Sequence, residues 1–324
     1  MKKVTIIIPN HNGFKYSENC FKALENQTFK DFSVCVIDDC STDDSVERLN
    51  EFAKSSPLDL EVIALDENMG PGHARKLGIQ QTKSEWVAFC DIDDWYDEDF
   101  LEQLLVEAES SGADLVMCDH KYIWSNGEVS PANSMDWSKE VTSSKQNILA
   151  YARMSLWRLL AKRSLFEGIV IPEIYYGEDA PVVIQLIANA DNIFVDVNAR
   201  YNYLVRSGSA STNANPKVID DYIAAFNVIE KSISDIFPEE AEFIGINMIL
   251  YGVTLIMLKN RQNASDLKKI INRFVRRYPE WTNNKYLKNL DRKKKIYLCA
   301  IKWRCLFLNK IYSRLHSYII NKQR

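Results

Sequence analysis

The chain has 324 residues, 46% of them hydrophobic and 26% charged, and its formal net charge is −4. These are ordinary values for a globular protein of one to three domains, and they exclude a largely disordered chain. The seven cysteines are odd in number and form no C-x-x-C pair, which favours reduced thiols in the cytosol over a disulfide framework or a zinc site.

The first 120 residues alternate between short β-branched runs and amphipathic stretches. Met1-Lys2-Lys3 leads directly into the first run, with no segment typical of a signal peptide. The predicted strands are VTIII (4–8), FSVCVI (32–37), LEVIAL (60–65), EWVAFC (85–90) and ADLVMC (113–118). The predicted helices lie near 16–26, 43–55, 71–82 and 97–111. This order predicts an α/β fold with a Rossmann-like, mostly parallel sheet flanked by helices, which binds ligands at the carboxyl ends of its strands.

Polar segments follow the first two predicted strands, PNHNG (9–13) and DDCSTDD (38–44). The second half of the longer segment fits a helix N-cap with acids in the first turn. Asp38 and Asp39 lie at the strand end itself. This adjacent pair of acids is predicted to offer hydrogen-bond acceptors to the N–H or hydroxyl groups of a ligand.

A glycine-rich segment, NMGPGHARKLG (68–78), follows the third predicted strand. A dinucleotide-binding loop is disfavoured, because the third glycine of that fingerprint is missing and the segment is not the first strand-to-helix turn. We expect instead a turn that brings the backbone and Arg75 close to a nucleotide.

Three carboxylates lie within four residues in FCDIDDWY (89–96). If the chain is extended there, Asp91 and Asp93 point to the same face and can serve one cation. Oxygen ligands of this kind suit Mg²⁺ or Mn²⁺ bridging to a phosphorylated substrate, and Asp94 is predicted to support the turn. Two alternatives are weaker. The apolar run before the cluster disfavours a merely solvated loop, and a phosphatase of the haloacid dehalogenase type would carry its acids after the first strand.

The remainder of the chain reads in two parts. Residues 120–216 are rich in Trp, Tyr, Ser, Asn and Gly and are predicted to be irregular. The pattern after them is helical, with Pro238 and Pro279 as predicted breaks. The apolar run 243–258 is shorter than the ~20 residues of a membrane-spanning helix and is predicted to be a core helix.

The C-terminal tail, residues 285–324, is strongly basic. It contains twelve Lys or Arg residues and one acid, so its net charge is +11 and that of the preceding chain is −15. Aromatic and aliphatic residues recur there at helical intervals, as in a helix that lies on an anionic membrane surface. Packing on the body of the protein with a solvated basic face explains the pattern equally well. Nucleic acid is not expected as a partner, because the sheet offers no evident basic cleft.

Five segments resemble, in order and spacing, the motifs of family 2 glycosyltransferases with the GT-A fold: VTIIIPNHNG, VCVIDDCSTDDS, ENMGPGHARKLGI, EWVAFCDIDDWY and YYGEDAPVV. The resemblance covers about residues 3–215. It implies a GT-A nucleotide-sugar-binding and catalytic domain over 1–215 and a helical C-terminal extension over 216–324. Bacterial members of this family build capsules, exopolysaccharides and lipopolysaccharide O-chains.

The resemblance also implies roles for residues at the nucleotide. Pro9, His11 and Asp38 would line the base and ribose pocket, with Asp39 nearby. Arg75 would lie close to the nucleotide. The donor would be a nucleotide sugar, most often of UDP, bound with Mn²⁺ or Mg²⁺.

Further roles are implied for the reacting groups. Asp91 would contact the ribose or the metal, and Asp93 would be the direct metal ligand. Glu178 and Asp179 resemble the acidic pair whose aspartate is the catalytic base of inverting members, although acids at a helix start are also expected without any catalytic role.

Two more segments extend the implied site. YNYLVRSGSAS (201–211) resembles the strand and loop that close over the diphosphate, which makes Arg206 a phosphate contact and Ser207 part of a lid. Trp157 is predicted either to stack on an acceptor sugar or to pack in the core.

The sequence therefore supports two hypotheses from different classes. The first is an inverting, metal-dependent hexosyl- or N-acetylhexosaminyltransferase that acts on a glycan or an undecaprenyl-linked oligosaccharide, in the cytoplasm and peripherally at the inner face of a bacterial membrane. The second is a catalytically silent relative that binds nucleotide and assists another glycosyltransferase. Consumption of a UDP-sugar in the presence of an acceptor distinguishes them.

Overall fold

The computed structural model describes residues 1–132, 141–151, 153–206 and 217–323, with side chains up to Ser317. The chain divides into two units, residues 1–213 and 214–324. The first contains the sheet, and the second is helical.

Nine strands of the described residues form one sheet. They are β1 (Val4–Asn10), β2 (Phe32–Asp38), β3 (Leu60–Ala64), β4 (Trp86–Phe89), β5 (Trp95–Tyr96), β6 (Leu115–Trp124), β7 (Val129–Pro131), β8 (Leu159–Lys162) and β9 (Ile193–Val205). Their order is β3-β2-β1-β4-β8-β6-β9-β5, and β7 pairs with the C-terminal half of β6.

Parallel pairing joins β3, β2, β1 and β4, which are all strands that hydrophobic periodicity predicts. The register places Asn10 opposite Asp38, and Asp38 opposite Ala64. The carboxyl ends of these strands therefore meet at one edge of the sheet. Strand β8 is antiparallel to both of its neighbours, β4 and β6, while β6 and β9 run parallel. The predicted α/β class, a sheet flanked by helices, is confirmed, and the described sheet is mixed, with four parallel and four antiparallel pairings.

The helices of the first unit follow the predicted alternation. They are α1 (Glu18–Glu25), α2 (Ser45–Ser55), α3 (Pro71–Gln81), α4 (Phe100–Ser111), α5 (Lys145–Tyr151) and α6 (Asp179–Asn189). The first four lie where the sequence predicts helices. Buried side chains of β1, β2, β4 and α4 form a continuous core on one side of the sheet.

The prediction that residues 120–216 are irregular was wrong. This stretch contains the end of β6 and all of β7, α5, β8, α6 and β9. Apolar and polar residues alternate along β9 from Val195 to Tyr203, the pattern of a half-buried strand, so the strand signal is present in the sequence although the polar composition of the stretch obscures it. The strand has a long pairing with β6 and a short pairing with β5, and the alternation itself does not identify these partners.

The second unit is built from helices. They are α7 (Lys217–Ile233), α8 (Pro238–Gly245), α9 (Thr254–Lys259), α10 (Ala264–Arg277), α11 (Arg292–Lys302) and α12 (Leu306–Gln323). Pro238 begins α8, and Pro279 lies just after α10, so both predicted breaks are confirmed.

A π-helical segment, Ile246–Val253, joins α8 to α9 into one continuous helix. This helix, Pro238–Lys259, is the one among the described residues that is long and apolar enough to cross a membrane. Within the folded chain, 61% of its most apolar stretch is buried. The sequence predicts a core helix at this place.

Helix α3 packs closely on the sheet. It begins with Pro71, and proline is common at the first position of a helix. The preceding residue, Gly70, has a positive φ of 90°. A Cβ atom at Gly78 would lie 2.5 Å from Cγ2 of the fully buried Ile7. The glycine thus lets the helix approach β1 and fixes the height of Arg75, one turn earlier, above the sheet.

We expect Gly78→Ala to destabilise the protein by about 1–3 kcal/mol, because overpacking at Ile7 exceeds the helix-propensity gain of alanine. Urea unfolding measures this difference. Gln80→Ala, on an exposed part of the same helix, is the control and should have an effect near zero. A Gly78→Ala protein that is more stable than wild type would contradict the close approach.

Candidate active site

Hydrogen bonds tie the ends of β1 and β2 together. The side chain of Asn10 donates from Nδ2 to Oδ2 of Asp38 at 2.5 Å. Ser41 donates to the same carboxylate from its backbone N and from Oγ, each at 2.7 Å. Asp38 is fully buried, so its observed role is to hold two strand ends at the sheet edge. Its predicted contact with a nucleotide stays a prediction.

Asp39 positions the turn before α3. Its two carboxylate oxygens accept from the backbone N–H groups of Met69, at 2.8 Å, and Gly70, at 2.7 Å. Its carbonyl oxygen lies 2.8 Å from Nδ1 of the exposed His11. Pro9 is half-buried in β1 at the same edge. The structure thus brings the four predicted nucleotide-pocket residues together, with both acidic side chains engaged by protein donors.

Arg75 connects Asp91 to an adjacent pair of acids, Glu178 and Asp179, that lies far from it in the sequence. Its Nη2 donates to Oδ1 of Asp91 at 2.8 Å, and its Nη1 donates to Oε1 of Glu178 at 2.5 Å. Nη1 also lies 3.2 Å from Oδ1 of Asp179. The guanidinium is almost fully buried, which makes these charge-assisted contacts strong. One side chain from α3 thereby joins the cluster after β4 to the start of α6.

The three carboxylates around Arg75 are electrostatically crowded. Burial raises the pKa of Asp91 to about 6. Arg75 acts to lower this pKa, and repulsion from Asp179 and Asp93 offsets part of that lowering. Burial also raises the pKa of Glu178 to about 7, again with repulsion from Asp179. Burial acts to lower the pKa of Arg75, but attraction to the three acids raises it overall. The site therefore has an excess of negative charge for one arginine.

Arg206, at the end of β9, is the second cation of the site. Its Nε and Nη2 both lie 2.7 Å from Oδ2 of Asp93. Its guanidinium carbon lies 4.1 Å from the centre of the Tyr16 ring, within cation–π range. Asp93 and Arg206, which the sequence assigns to the metal and the diphosphate, are thus direct neighbours. Ser207 lies outside the described residues.

Asp94 fixes the acidic cluster to β9. Its Oδ1 accepts from the backbone N–H of Leu204 at 2.7 Å, and its Oδ2 accepts from the hydroxyl of Tyr201 at 2.8 Å. The Tyr201 oxygen in turn accepts from the backbone N–H of Asp91 at 3.2 Å. Asp94 is buried, and this burial raises its pKa. Its observed contacts fit the supporting role that the sequence predicts.

Trp157 packs against aromatic side chains beside this cluster. Its ring stacks on Tyr201 at 4.2 Å and meets His120 edge-on at 4.9 Å. It is 7% exposed and belongs to the core of the first unit. Packing, one of the two predicted roles of Trp157, is what the structure displays, and the acceptor role stays a prediction.

Glu178 and Asp179 lie at the start of α6, where the chain turns at Gly177 with φ 76°. Oδ2 of Asp179 accepts from the backbone N–H of Leu156 at 3.2 Å. Both acidic side chains are partly exposed. Asp179 thus lies beside the acidic cluster, on the same guanidinium as Asp91.

The fit of a divalent cation can be judged from the donors. Among the described residues, no group of three or more His, Cys, Asp or Glu side chains is placed to hold a metal ion. Asp91 and Asp93 offer two carboxylates, and a cation would relieve their mutual repulsion. Mg²⁺ at nucleotide sites commonly takes one or two carboxylates and completes its shell with phosphate and water. The donor chemistry of the two carboxylates suits such an ion, and in the structure the positive partner of Asp93 is Arg206.

Sequence reasoning missed two of these contacts. It assigned Arg75 to the nucleotide, whereas the structure gives its guanidinium three carboxylate partners. It attached no role to Tyr201, whose hydroxyl links Asp94 to the backbone of Asp91. The sequence contains the arginine and the two acidic motifs in three separate segments, and only the fold reveals that they meet.

Comparison with known proteins bears on the whole site. The family model "Glycosyl transferase family 2" matches residues 5–158. Glycosyltransferase GlyA of Streptococcus pneumoniae is 27% identical over 222 residues, which are 64% of this chain and 31% of the relative. Poly(ribitol-phosphate) beta-N-acetylglucosaminyltransferase TarS of Staphylococcus aureus is 26% identical over 247 residues, 74% of this chain and 42% of the relative. The chain thus spans less than half the length of these two relatives.

Other matches extend along the chain. The uncharacterized glycosyltransferase EpsJ of Bacillus subtilis is 24% identical over 95% of both chains. A crystal structure of S. aureus TarS with UDP-GlcNAc matches with a TM-score of 0.73 and 20% identity, over 98% of this chain and 92% of the other. A mannosyltransferase from Pyrobaculum calidifontis with GDP-Man and Mn²⁺ matches with a TM-score of 0.57 and 15% identity, over 97% and 86%. The solved structures show the GT-A fold with its helical C-terminal region, and the matches together support a family 2 glycosyltransferase.

The raised pKa of Glu178 predicts a specific pH dependence. Its pKa is about 7 in the folded protein and near its usual value of 4.5 when unfolded, so Glu178 costs stability as the pH rises between these values. We expect Glu178→Gln to gain stability relative to wild type, by on the order of 1–3 kcal/mol more at pH 8 than at pH 5. Urea unfolding at both pH values measures it.

Glu173→Gln is the matched control. Glu173 is exposed, and a hydrogen bond from Lys76 lowers its pKa, so its replacement should give a smaller difference of opposite sign. Parallel pH profiles for wild type and Glu178→Gln would contradict the crowding of carboxylates around Arg75.

Proposed function

We propose, taking a family 2 glycosyltransferase as the premise, that this protein is an inverting, metal-dependent transferase. It moves a hexosyl or N-acetylhexosaminyl group from a nucleotide sugar to a hydroxyl of a glycan or an undecaprenyl-linked oligosaccharide. The observation that carries the proposal is the junction at Arg75, which brings Asp91 of the cation-binding cluster and the Glu178–Asp179 pair to one guanidinium. Sugar transfer needs the donor site and the general base close together. Glu178 follows Asp91 by 87 positions in the chain.

Asp179 is the proposed general base. It takes the proton of the acceptor hydroxyl while that oxygen forms a bond to the anomeric carbon. The bond from the anomeric carbon to the phosphate oxygen breaks, and its electron pair leaves with the nucleoside diphosphate. With a single base on the face opposite the leaving group, the configuration inverts. A hydrolase with two acting carboxylates would have no use for the nucleotide pocket.

The leaving diphosphate gains charge during this step, so positive groups fixed near it lower the barrier. Arg206 is the proposed phosphate contact, and Asp93 and Asp91 are the proposed ligands of Mn²⁺ or Mg²⁺. A divalent cation bound there supplies positive charge to the diphosphate. Asp94 and Tyr201 hold the cluster to β9, and this keeps Asp93 within reach of Arg206.

UDP is the proposed donor nucleotide, since TarS structures contain UDP-GlcNAc and UDP. The name of TarS, a poly(ribitol-phosphate) beta-N-acetylglucosaminyltransferase, supports transfer to a polymeric acceptor, and synthesis of a bacterial surface polysaccharide is the proposed role. Nucleotide sugars are cytoplasmic, so the proposed location is the cytoplasm, peripherally at the inner face of the membrane.

Asp179→Asn should lower turnover by roughly 10²–10⁴-fold, the range typical of a lost general base. UDP release from a panel of UDP-sugars, with oligosaccharide and lipid-linked acceptors, measures turnover. Donor affinity, followed by UDP-induced thermal stabilisation, should stay within about threefold of wild type, because the base acts on the acceptor.

Asp191→Asn provides the control, since this exposed aspartate follows the other end of α6. It should retain full turnover. An Asp179→Asn enzyme with wild-type turnover would exclude Asp179 as the base. A wild type that binds UDP but consumes no UDP-sugar with any acceptor would favour the catalytically silent relative.

A further inference from the structure

The second unit exposes an unusual concentration of hydrophobic side chains. Thirteen large hydrophobic side chains are exposed in the described part of the chain, and six of them fall within twenty residues. These six are Ile296, Trp303, Phe307, Leu308, Ile311 and Leu315. An exposed apolar cluster of this kind marks an interaction surface more often than a scattered residue does.

The fold of the second unit fixes which side of α12 faces outward. Asn309 is buried and donates from Nδ2 to the carbonyl oxygen of Tyr297 at 2.9 Å. The hydroxyl of Tyr312 lies 3.0 Å from that of Tyr251. Ser313 is also buried. Helix α12 is therefore docked on its own unit through these positions.

The opposite side of α12 carries the hydrophobic residues. Phe307, Ile311 and Leu315 follow one another at intervals of four, so they form one stripe along the helix. They are 62%, 49% and 58% exposed. We call this stripe, together with Trp303 in the turn before α12, the outer stripe. Because the inner side is already packed, the outer stripe cannot be buried by a simple roll of the helix.

Positive charge surrounds the outer stripe. Residues 292–317 contain eight Lys or Arg and no acid. Lys310 and Arg314 are exposed on α12, and Lys302 and Arg304 flank Trp303. The preceding acid, Asp291, accepts from two backbone N–H groups at the start of α11 and so caps that helix.

The hydrophobic stripe and the surrounding positive charge together indicate the chemistry of the partner. A second copy of this face would place like charges against each other, which disfavours self-association through it. An anionic lipid surface matches both components, because the headgroups attract Lys and Arg while the apolar side chains enter the boundary of the acyl chains. The long stems of Lys and Arg can lie along that boundary with their charges at the headgroups.

We propose that the outer stripe and its flanking Lys and Arg residues bind the surface of a membrane that contains anionic phospholipids. The surface belongs to the second unit, whereas the proposed donor site belongs to the first. It gives a physical basis for the peripheral location in the proposed function, and it corresponds to the first of the two explanations of the basic tail.

The test is co-sedimentation of the full chain with vesicles of phosphatidylcholine, alone or mixed with phosphatidylglycerol. We expect at least roughly tenfold more protein on the anionic vesicles, and weaker binding at high salt as the charges are screened. Two variants should each lose most of this binding: Phe307→Ser with Ile311→Ser, and Lys310→Gln with Arg314→Gln. All four positions are exposed, so thermal unfolding should be unchanged.

Ile236→Ser with Lys268→Gln is the matched control, because both residues are exposed in the same unit outside α11 and α12. It should bind as wild type does. The proposal is overturned if the wild type ignores both vesicles, binds them equally, or keeps its binding in both variants. It is also overturned if Phe307→Ser with Ile311→Ser dissolves an oligomer of a protein that binds no vesicle, since a second copy would then cover the stripe. Consumption of a soluble UDP-sugar without vesicles tests the proposed reaction separately.

Discussion

The burial of one guanidinium among three carboxylates is the constraint on which the site depends. Without Arg75, Asp91, Glu178 and Asp179 would repel one another in a poorly solvated pocket, because removing the only cation of such a cluster leaves buried charges uncompensated. The arginine can reach all three because α3 approaches β1 at Gly78. Close packing of α3 on the sheet thus sets the position of the guanidinium, and the three acids gather around this positive charge.

A second set of contacts completes the frame from β9. Asp94 accepts from Tyr201 and from the backbone of Leu204, and Asp93 pairs with Arg206 at the end of the same strand. The acidic cluster is therefore held from two directions, by α3 and by β9. Burial, together with repulsion from Asp179 and Asp93, raises the pKa of Asp91, so one arginine on each side does not fully compensate the negative charge of the cluster. We propose that a divalent cation, bound with a nucleotide diphosphate, compensates this negative charge.

Much of the fold could be predicted because its signal is local. The apolar runs of β1 to β4 and the amphipathic helices between them appear in the sequence with nearly the observed bounds. The place of β9 in the sheet could not, because the alternation of apolar and polar residues from Val195 to Tyr203 does not identify β6 as the strand that it pairs with. The site shows the same division. The acidic motifs are legible as clusters, but the partners of Arg75 and the hydroxyl bridge of Tyr201 depend on contacts between distant segments.

The most direct test of the account is thermal unfolding with UDP, GDP, CDP or dTDP, each with Mn²⁺ and with a chelator, for wild type and Asp93→Ala. A ligand at about 100 times its dissociation constant adds about 2.7 kcal/mol, which raises the unfolding temperature by several degrees. We expect one nucleotide to stabilise the wild type only with Mn²⁺, and not to stabilise Asp93→Ala. Stabilisation by no nucleotide under any condition, or equal stabilisation of Asp93→Ala, would contradict a cation-dependent donor site at Asp91 and Asp93.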